Sequence, residues 1–358
     1  MGGNAVLSTT RLTSSELMVL ACRVQRALDA ALPRAHRSEP VRFHGGKTSH
    51  GDLDVLLACD HATFENATFE NALGVSLGAT EMVVNHSKRL DADPNRKVLS
   101  YSVPTEAGAF QVDVVQVPES AFDFARWYFA FNDLGNLLGR VARRMGFKLS
   151  ESGLRLEVDA AGERVGEVVV TRDWELALSF LGYDSQRYWK GAQGGFDSLE
   201  SLFDFVSSSP YFDPGVFLPE NRPNAARRRD AARPTYQAFL AWMEGQGLCS
   251  ASWGNQDKEL FRANALVRAT DRFPRLSRDV CDLLDHHRRM KAVRARFNGR
   301  VVSDVTGLEG PELGAFLRER QAFFGSEEAL AEWVEGLTDA ELRSAVAEQA
   351  SEWHGRSQ

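Results

Sequence analysis

Cysteine is scarce in this chain: 358 residues carry four, Cys22, Cys59, Cys249 and Cys281, and no Cys-x-x-Cys pair. That spacing excludes a thiolate zinc knuckle and offers no disulfide framework; the four are expected to be ordinary buried thiols. Long apolar runs are missing too. No stretch approaches the roughly 20 apolar residues that a bilayer-spanning helix requires. Met1-Gly2-Gly3-Asn4 has none of the basic and apolar character of a secretory leader, so the expectation is a cytoplasmic protein with no membrane partner. Basic charge is also in deficit, with 42 Lys and Arg against 49 Asp and Glu and a net charge of -7. At first sight that argues against nucleic acid. The charge is nevertheless segregated: residues 262–300 hold eleven Lys or Arg against four Asp, and residues 301–358 hold twelve acids against four basic residues. Either one face binds phosphate, or two solvated helical faces neutralise each other.

What is present is an ample supply of core. At 43% hydrophobic residues the chain can bury two or three domains. Within it, Gly45-Gly46-Lys47-Thr48-Ser49-His50-Gly51-Asp52-Leu53-Asp54-Val55-Leu56-Leu57 stands out. An apolar run of this length with Val and Leu suits a buried strand. In a strand, alternate side chains share a face, so Asp52 and Asp54 project together while Leu53 and Val55 enter the core. Two carboxylates so close repel unless a cation lies between them, and a hard divalent ion is the natural occupant. A third acid, Asp113, sits alone in the strand-like Phe110-Gln111-Val112-Asp113-Val114-Val115-Gln116-Val117. Residues 97–103 and 110–117 alternate like a hairpin, which brings Asp113 beside the first pair. The Gly45-Gly46 turn has backbone N–H groups that could hold phosphate oxygens.

Gly-Gly, then Asp-Leu-Asp-Val-Leu, then Val-Asp-Val on a later strand resembles the nucleotidyltransferase superfamily of DNA polymerase β, whose palm carries three acids that bind two magnesium ions. The resemblance continues through Phe124-Ala125-Arg126-Trp127-Tyr128-Phe129-Ala130-Phe131-Asn132-Asp133, a helix at residues 134–145 and Gly146-Phe147-Lys148-Leu149-Ser150, which are similar to the passage from palm to thumb in family X polymerases. It covers about Val41 to Gly182. It implies an α+β fold, with a nucleotidyltransferase palm of mixed sheet and flanking helices in residues 1–135 and a thumb-like segment in 136–185; beyond it, helical apolar spacing predicts a mainly helical C-terminal region in 186–358, the candidate to bind the acceptor.

The same resemblance implies Asp52, Asp54 and Asp113 as catalytic residues and ligands of two Mg2+ ions, for which Mn2+ can substitute. Gly45, Gly46, Lys47, Thr48, Ser49 and His50 lie where the phosphates of a nucleoside triphosphate would arrive. Tyr128, Asn132 and Arg140 are further nucleotide-binding candidates, with core packing as the alternative for the aromatic cluster that includes Tyr128. Only five residues separate Gly46 from Asp52, fewer than most members of the superfamily have. The helix that usually grips the triphosphate is therefore expected to be very short or replaced by a turn.

Elsewhere the patterning is structural. Thr13-Ser14-Ser15-Glu16 has capping-box spacing ahead of a helix carrying Leu17, Leu20, Val24, Ala27, Leu28 and Leu32, closed by Pro33. Val41 to Phe43 is expected to be the first palm strand. A tandem pentapeptide, Ala62 to Asn66 and Ala67 to Asn71, reads as a spacer helix. Residues 154–158 and 166–170 read as a hairpin, with Thr171 capping the helix that ends before Gly182. Arg227-Arg228-Arg229, in a stretch rich in Pro and Asn, is either a solvated loop or a contact to the backbone of an acceptor strand. Gly307, Gly310 and Gly314 suit a tight helix-turn-helix. Transfer of a nucleoside monophosphate from an NTP or dNTP to a nucleic-acid 3′ end is the leading expectation. Modification of a small molecule or protein, and an inactive binding module of the same fold, are the alternatives.

Overall fold

The structure is a computed structural model that describes residues 5–7, 10–32, 36–58, 67–86, 97–248 and 258–357. Pro33, Cys59, Cys249 and the first copy of the pentapeptide repeat lie outside these residues. The chain enters through strand β1 (Leu12–Thr13) and helix α1 (Ser14–Ala31). Thr13 caps α1 in a full capping box with Glu16, as the spacing requires. All six apolar positions at helical period, Leu17 through Leu32, are buried.

A five-stranded mixed sheet follows, built from β2 (Arg37–Pro40), β4 (Asp52–Ala58), β5 (Glu81–His86), β6 (Lys97–Thr105) and β7 (Gly108–Gln116), with the two-residue β3 (Ser49–His50) ahead of β4. The order is β2-β4-β7-β6-β5. Strands β4 and β7 are parallel, and the other pairs are antiparallel. The first strand is thus Arg37–Pro40 and not Val41 to Phe43; only the Val41 N–H extends the ladder, donating to the Asp54 carbonyl at 2.9 Å. Pro40 is tolerated because β2 is an edge.

Period-two alternation sorts the side chains of β4 and β7 onto two faces. Leu53, Val55, Leu57, Val112 and Val114 join α1 and helix α2 (Ala67–Leu77) in one core. Leu56, Ala58 and Val115 pack on the other side with Val117 and with Phe122 and Ala125 of helix α3 (Phe122–Tyr128). Asp52, Asp54 and Asp113 share this second face. They lie on it where the apolar packing ends.

Beyond α3 come α4 (Leu134–Arg144), β8 (Phe147–Ser150), β9 (Gly153–Ala160), β10 (Glu163–Thr171) and α5 (Trp174–Phe180). Three strands form a small sheet in the order β10-β9-β8. The cap of α5 is Asp173, whose side chain accepts from the Leu176 N–H, rather than Thr171, which accepts from the Asp173 N–H. Helices α6 (Ser185–Gly194), α7 (Leu199–Ser207), α8 (Asn224–Ala231), α9 (Pro234–Gly245) and α10 (Lys258–Arg272) continue the chain. The Arg227–Arg229 run lies in helix α8, not in a loop.

Among the described residues, contacts divide the chain into one unit of 1–157 and 167–276 and another of 158–166 and 277–358. The second consists of α11 (Leu276–Arg296) from Ser277 onward, α12 (Gly299–Thr306), α13 (Gly310–Phe324), α14 (Glu327–Glu335) and α15 (Asp339–Ser357), with the tip of the β9-β10 hairpin. Its core includes Met290, Val293, Val302, Phe316, Val334, Leu342 and Val346. Gly307 closes α12 in the left-handed region at φ 73°, a conformation glycine adopts without steric cost. Across this unit Arg289 pairs with Glu335 at 2.7 Å, Arg294 with Glu327 at 3.0 Å and Arg296 with Asp339 at 2.8 Å. For these three arginines, mutual neutralisation of the basic segment and the acidic tail is what the structure contains.

Cys22 and Cys281 are exposed rather than buried. No described helix is long and apolar enough to cross a membrane.

Candidate metal centre

Asp52, Asp54 and Asp113 each offer a carboxylate oxygen within 4.8 Å of the others. The register explains the convergence: Asp54 faces Asp113 across the parallel pair, and Asp52 faces Gln111. Burial raises the pKa of Asp54, and the charges of Asp52 and Asp113 push it further, to about 8. Burial raises Asp113 as well. The amide of Gln111 donates to Asp113 Oδ2 at 2.8 Å, whereas Asp113 Oδ1 is buried without a hydrogen-bond partner among the described residues. Three clustered carboxylates, one with a buried oxygen that has no hydrogen-bond partner among the described residues, could hold a hard divalent cation. These residues fit a magnesium or manganese site.

The three acids line a cleft of about 530 Å³, together with Arg11, Arg42, Phe43, Lys47, His50, Phe129, Asn132, Asp133, Pro234 and Thr235. Burial lowers the pKa of Lys47, and the carboxylates of Asp52 and Asp54 oppose that shift. His50 is 1% exposed, sits edge-on to Phe43 at 4.3 Å and meets the Ser14 hydroxyl at 3.0 Å. Burial, then the Lys47 charge, takes its pKa down to about 4. The imidazole is therefore neutral near pH 7.

The remaining expected site residues separate into two groups. Asn132 lines the cleft, held with Phe131 in the left-handed region at φ 61° and 59°. The Phe131 N–H donates to the Arg42 carbonyl at 2.7 Å and anchors this turn. Tyr128 is absent from the lining, and its neighbour Phe129 takes that position. The Tyr128 carbonyl instead abuts Gly135, where an added Cβ would lie 2.2 Å away.

Arg140 lies away from the lining and pairs with the buried Asp230 at 2.9 Å, as does Arg222 at 3.3 Å. Its role in this structure is to neutralise that carboxylate. Gly45, Gly46, Thr48 and Ser49 are also outside the cleft lining. The Gly45 N–H donates to the carbonyls of Gly195 and Phe196, both at 2.9 Å, and the Lys47 N–H donates to the His44 carbonyl at 3.0 Å. These two N–H groups are committed inside the protein rather than offered to phosphate. Between Gly46 and Asp52 there is a turn and the short β3 in place of a helix. Arg227, Arg228 and Arg229 are exposed on α8. Its successor α9 begins with the cleft residues Pro234 and Thr235, and the intervening Arg233 pairs with the cleft residue Asp133 at 3.0 Å.

Two lining cations had no signal in the sequence. Arg42 is set by Glu39 at 3.5 Å and stacks over Trp127 at 4.8 Å. Arg11 immediately precedes β1, which pairs with β3. No family model matches this chain, and no curated protein matches it.

Proposed function

We propose that the chain is a divalent-metal-dependent nucleotidyltransferase that moves a nucleoside monophosphate from an NTP or dNTP to the 3′ hydroxyl of a nucleic acid. The observation that carries this reading is the convergence of Asp52, Asp54 and Asp113 within 4.8 Å in a cleft that also holds Arg11, Arg42 and Lys47. Acids for cations stand beside cations for anions, which suits a metal–polyphosphate ligand better than either component alone. Two Mg2+ ions held by the three carboxylates would neutralise the polyphosphate and lower the pKa of the acceptor hydroxyl.

The protein's own groups do the rest by positioning and by electrostatics. Gln111 fixes Asp113 through one carboxylate oxygen, and the other has no hydrogen-bond partner among the described residues. Lys47, whose charge burial disfavours and Asp52 and Asp54 support, meets phosphate charge. Neutral His50 packs behind it and adds no competing cation. Asn132 and the start of α9 line the same cleft as the acids and are the candidates to meet a sugar or base. The exposed arginines of α8 precede the cleft residues Pro234 and Thr235 in sequence and are the candidates to hold an acceptor backbone.

A small-molecule or protein acceptor is the second reading. It is favoured by the ion pairs that occupy Arg289, Arg294 and Arg296, which leave less free basic surface than the sequence suggests. The test is a Mg2+-dependent labelling assay with each of the four nucleoside triphosphates against DNA, tRNA and other RNA acceptors, run beside Asp113→Ala. Label entering nucleic acid with the wild type only supports the first reading. No labelling of any nucleic acid moves the assignment to the second, and full activity in Asp113→Ala removes the three-carboxylate centre from both.

A further inference from the structure

The N–H groups of Gly45 and Lys47 are committed inside the protein, and the cleft itself is lined by side-chain cations. Of the three that line the cleft, Arg42 is already paired with Glu39, and Lys47 is answered by the acids themselves. Arg11 differs from both. It has no carboxylate partner among the described residues, and only Ser49 holds it: Arg11 Nε donates to Ser49 Oγ at 2.7 Å and Nη2 to the Ser49 carbonyl at 3.0 Å. A guanidinium has five N–H donors, so most of the fork is left for a ligand.

Its backbone is fixed on both sides. The Thr10 N–H donates to the Ala109 carbonyl at 2.7 Å, ahead of β7 residues that lead to Asp113. Leu12, 2% exposed, is paired with His50 across β1 and β3. Farther up the same segment the Ala5 N–H donates to Gln111 Oε1 at 2.8 Å, and Gln111 in turn holds Asp113. Arg11 also lies close enough to Lys47 to disfavour its charge. Arg11 and Lys47 line one cleft, and two cations so placed are complementary to a ligand bearing several negative charges.

We propose that Arg11, set immediately ahead of β1 and N-terminal to the palm-like stretch, grips the β and γ phosphates of the nucleotide, so that this entry point of the chain forms part of the substrate cleft. This rests on the nucleotidyltransferase reading for the identity of the nucleotide. Recognition of polyphosphate is measurable without it.

The experiment is calorimetric titration of the full chain with inorganic tripolyphosphate in excess Mg2+, alongside a nucleoside monophosphate. Charge-assisted bonds of a guanidinium fork to phosphate predict that Arg11→Ala weakens tripolyphosphate about ten- to a hundredfold. Monophosphate binding should be unchanged. Arg11→Lys keeps the charge and loses the fork, so it should fall between. Because Arg11 is exposed, both variants should melt as the wild type does. Equal tripolyphosphate affinity in wild type and Arg11→Ala, or no tripolyphosphate binding by the wild type, overturns the proposal. A wild type that binds tripolyphosphate through Arg11 yet transfers no nucleotide keeps this inference and sinks the enzymatic reading. Transfer with an unchanged KM for nucleotide in Arg11→Ala does the reverse.

Discussion

Asp54 and Asp113 stand directly opposite one another on the parallel strands β4 and β7. Parallel neighbours need a long crossover, so two acids some sixty positions apart in sequence become a facing pair only through α2 and the β5, β6 and β7 run. With Asp52 on the same face, the sheet carries three carboxylates together, and the Lys47 charge only partly offsets their effect on Asp54.

The first prediction concerns pH. Asp54 holds its proton up to about 8 when folded, against 3.8 for its ordinary value, so the folded chain binds more protons than the unfolded one across that interval. Its contribution to stability is therefore full at low pH and is lost as pH rises from about 4 to about 8. The fall in melting temperature that this causes in EDTA should be removed by Asp54→Asn and reversed at pH 8 by Mg2+. A wild type with the same pH profile as Asp54→Asn rejects the assignment.

Gly46 is constrained by packing. A Cβ there would sit 2.7 Å from the Asp197 carbonyl, and backbone has little room to give. Gly46→Val should cost about 1–3 kcal/mol of stability through overpacking, read as a lower urea midpoint. An unchanged midpoint would return the glycine to a ligand-contact role.

Gln111 is predicted to tune the metal site without touching the metal. It is 3% exposed and holds Asp113 through its amide while its carbonyl accepts the Ala5 N–H. Gln111→Leu should weaken Mn2+ binding, followed by calorimetry, by about ten- to a hundredfold, the usual effect of removing a group that orients a ligand. Wild-type affinity in a folded Gln111→Leu protein contradicts this.

The arginines of α8 test the acceptor. If they follow a phosphate backbone, replacing Arg227, Arg228 and Arg229 with Ala should flatten the slope of log affinity against log salt by roughly two to three units. Replacing Arg289, Arg294 and Arg296, which are paired with acids, should leave that slope alone. Anisotropy titrations of single-stranded RNA and DNA across a salt series measure both. Identical slopes for wild type and the α8 triple variant exclude that helix.

How far the sequence carries such a reading depends on periodicity. Asp52, Asp54 and Asp113 were legible because strand alternation sets charge against a Val and Leu background, and the α1 cap was legible because its chemistry is local. The edge strand Arg37–Pro40 was not: all four residues are half-buried, so no alternation marks it and the apolar Val41 drew the assignment downstream. Arg11 and Arg42 were invisible for another reason. One enters by a two-residue ladder and the other by stacking on a tryptophan, and neither relation leaves a spacing to read. The Gly45-Gly46 turn pointed to phosphate because the sequence could not show that Gly195 and Phe196 take its first N–H.

The β9-β10 tip has a consequence for anyone dissecting this chain. Residues 158–166 belong with 277–358; Gly166 is closed over by Leu283, whose methyl would lie 3.3 Å from an added Cβ, and Glu163 pairs with Lys291 at 3.5 Å. The helical module is thus discontinuous, and no single cut releases it whole. A fragment starting at Ser277 lacks one wall of its own structure, and a truncation ending there strands a hairpin tip in water. Independent expression of either half needs residues 158–166 grafted onto the helices by a short linker, or replaced by a tight turn in the remainder.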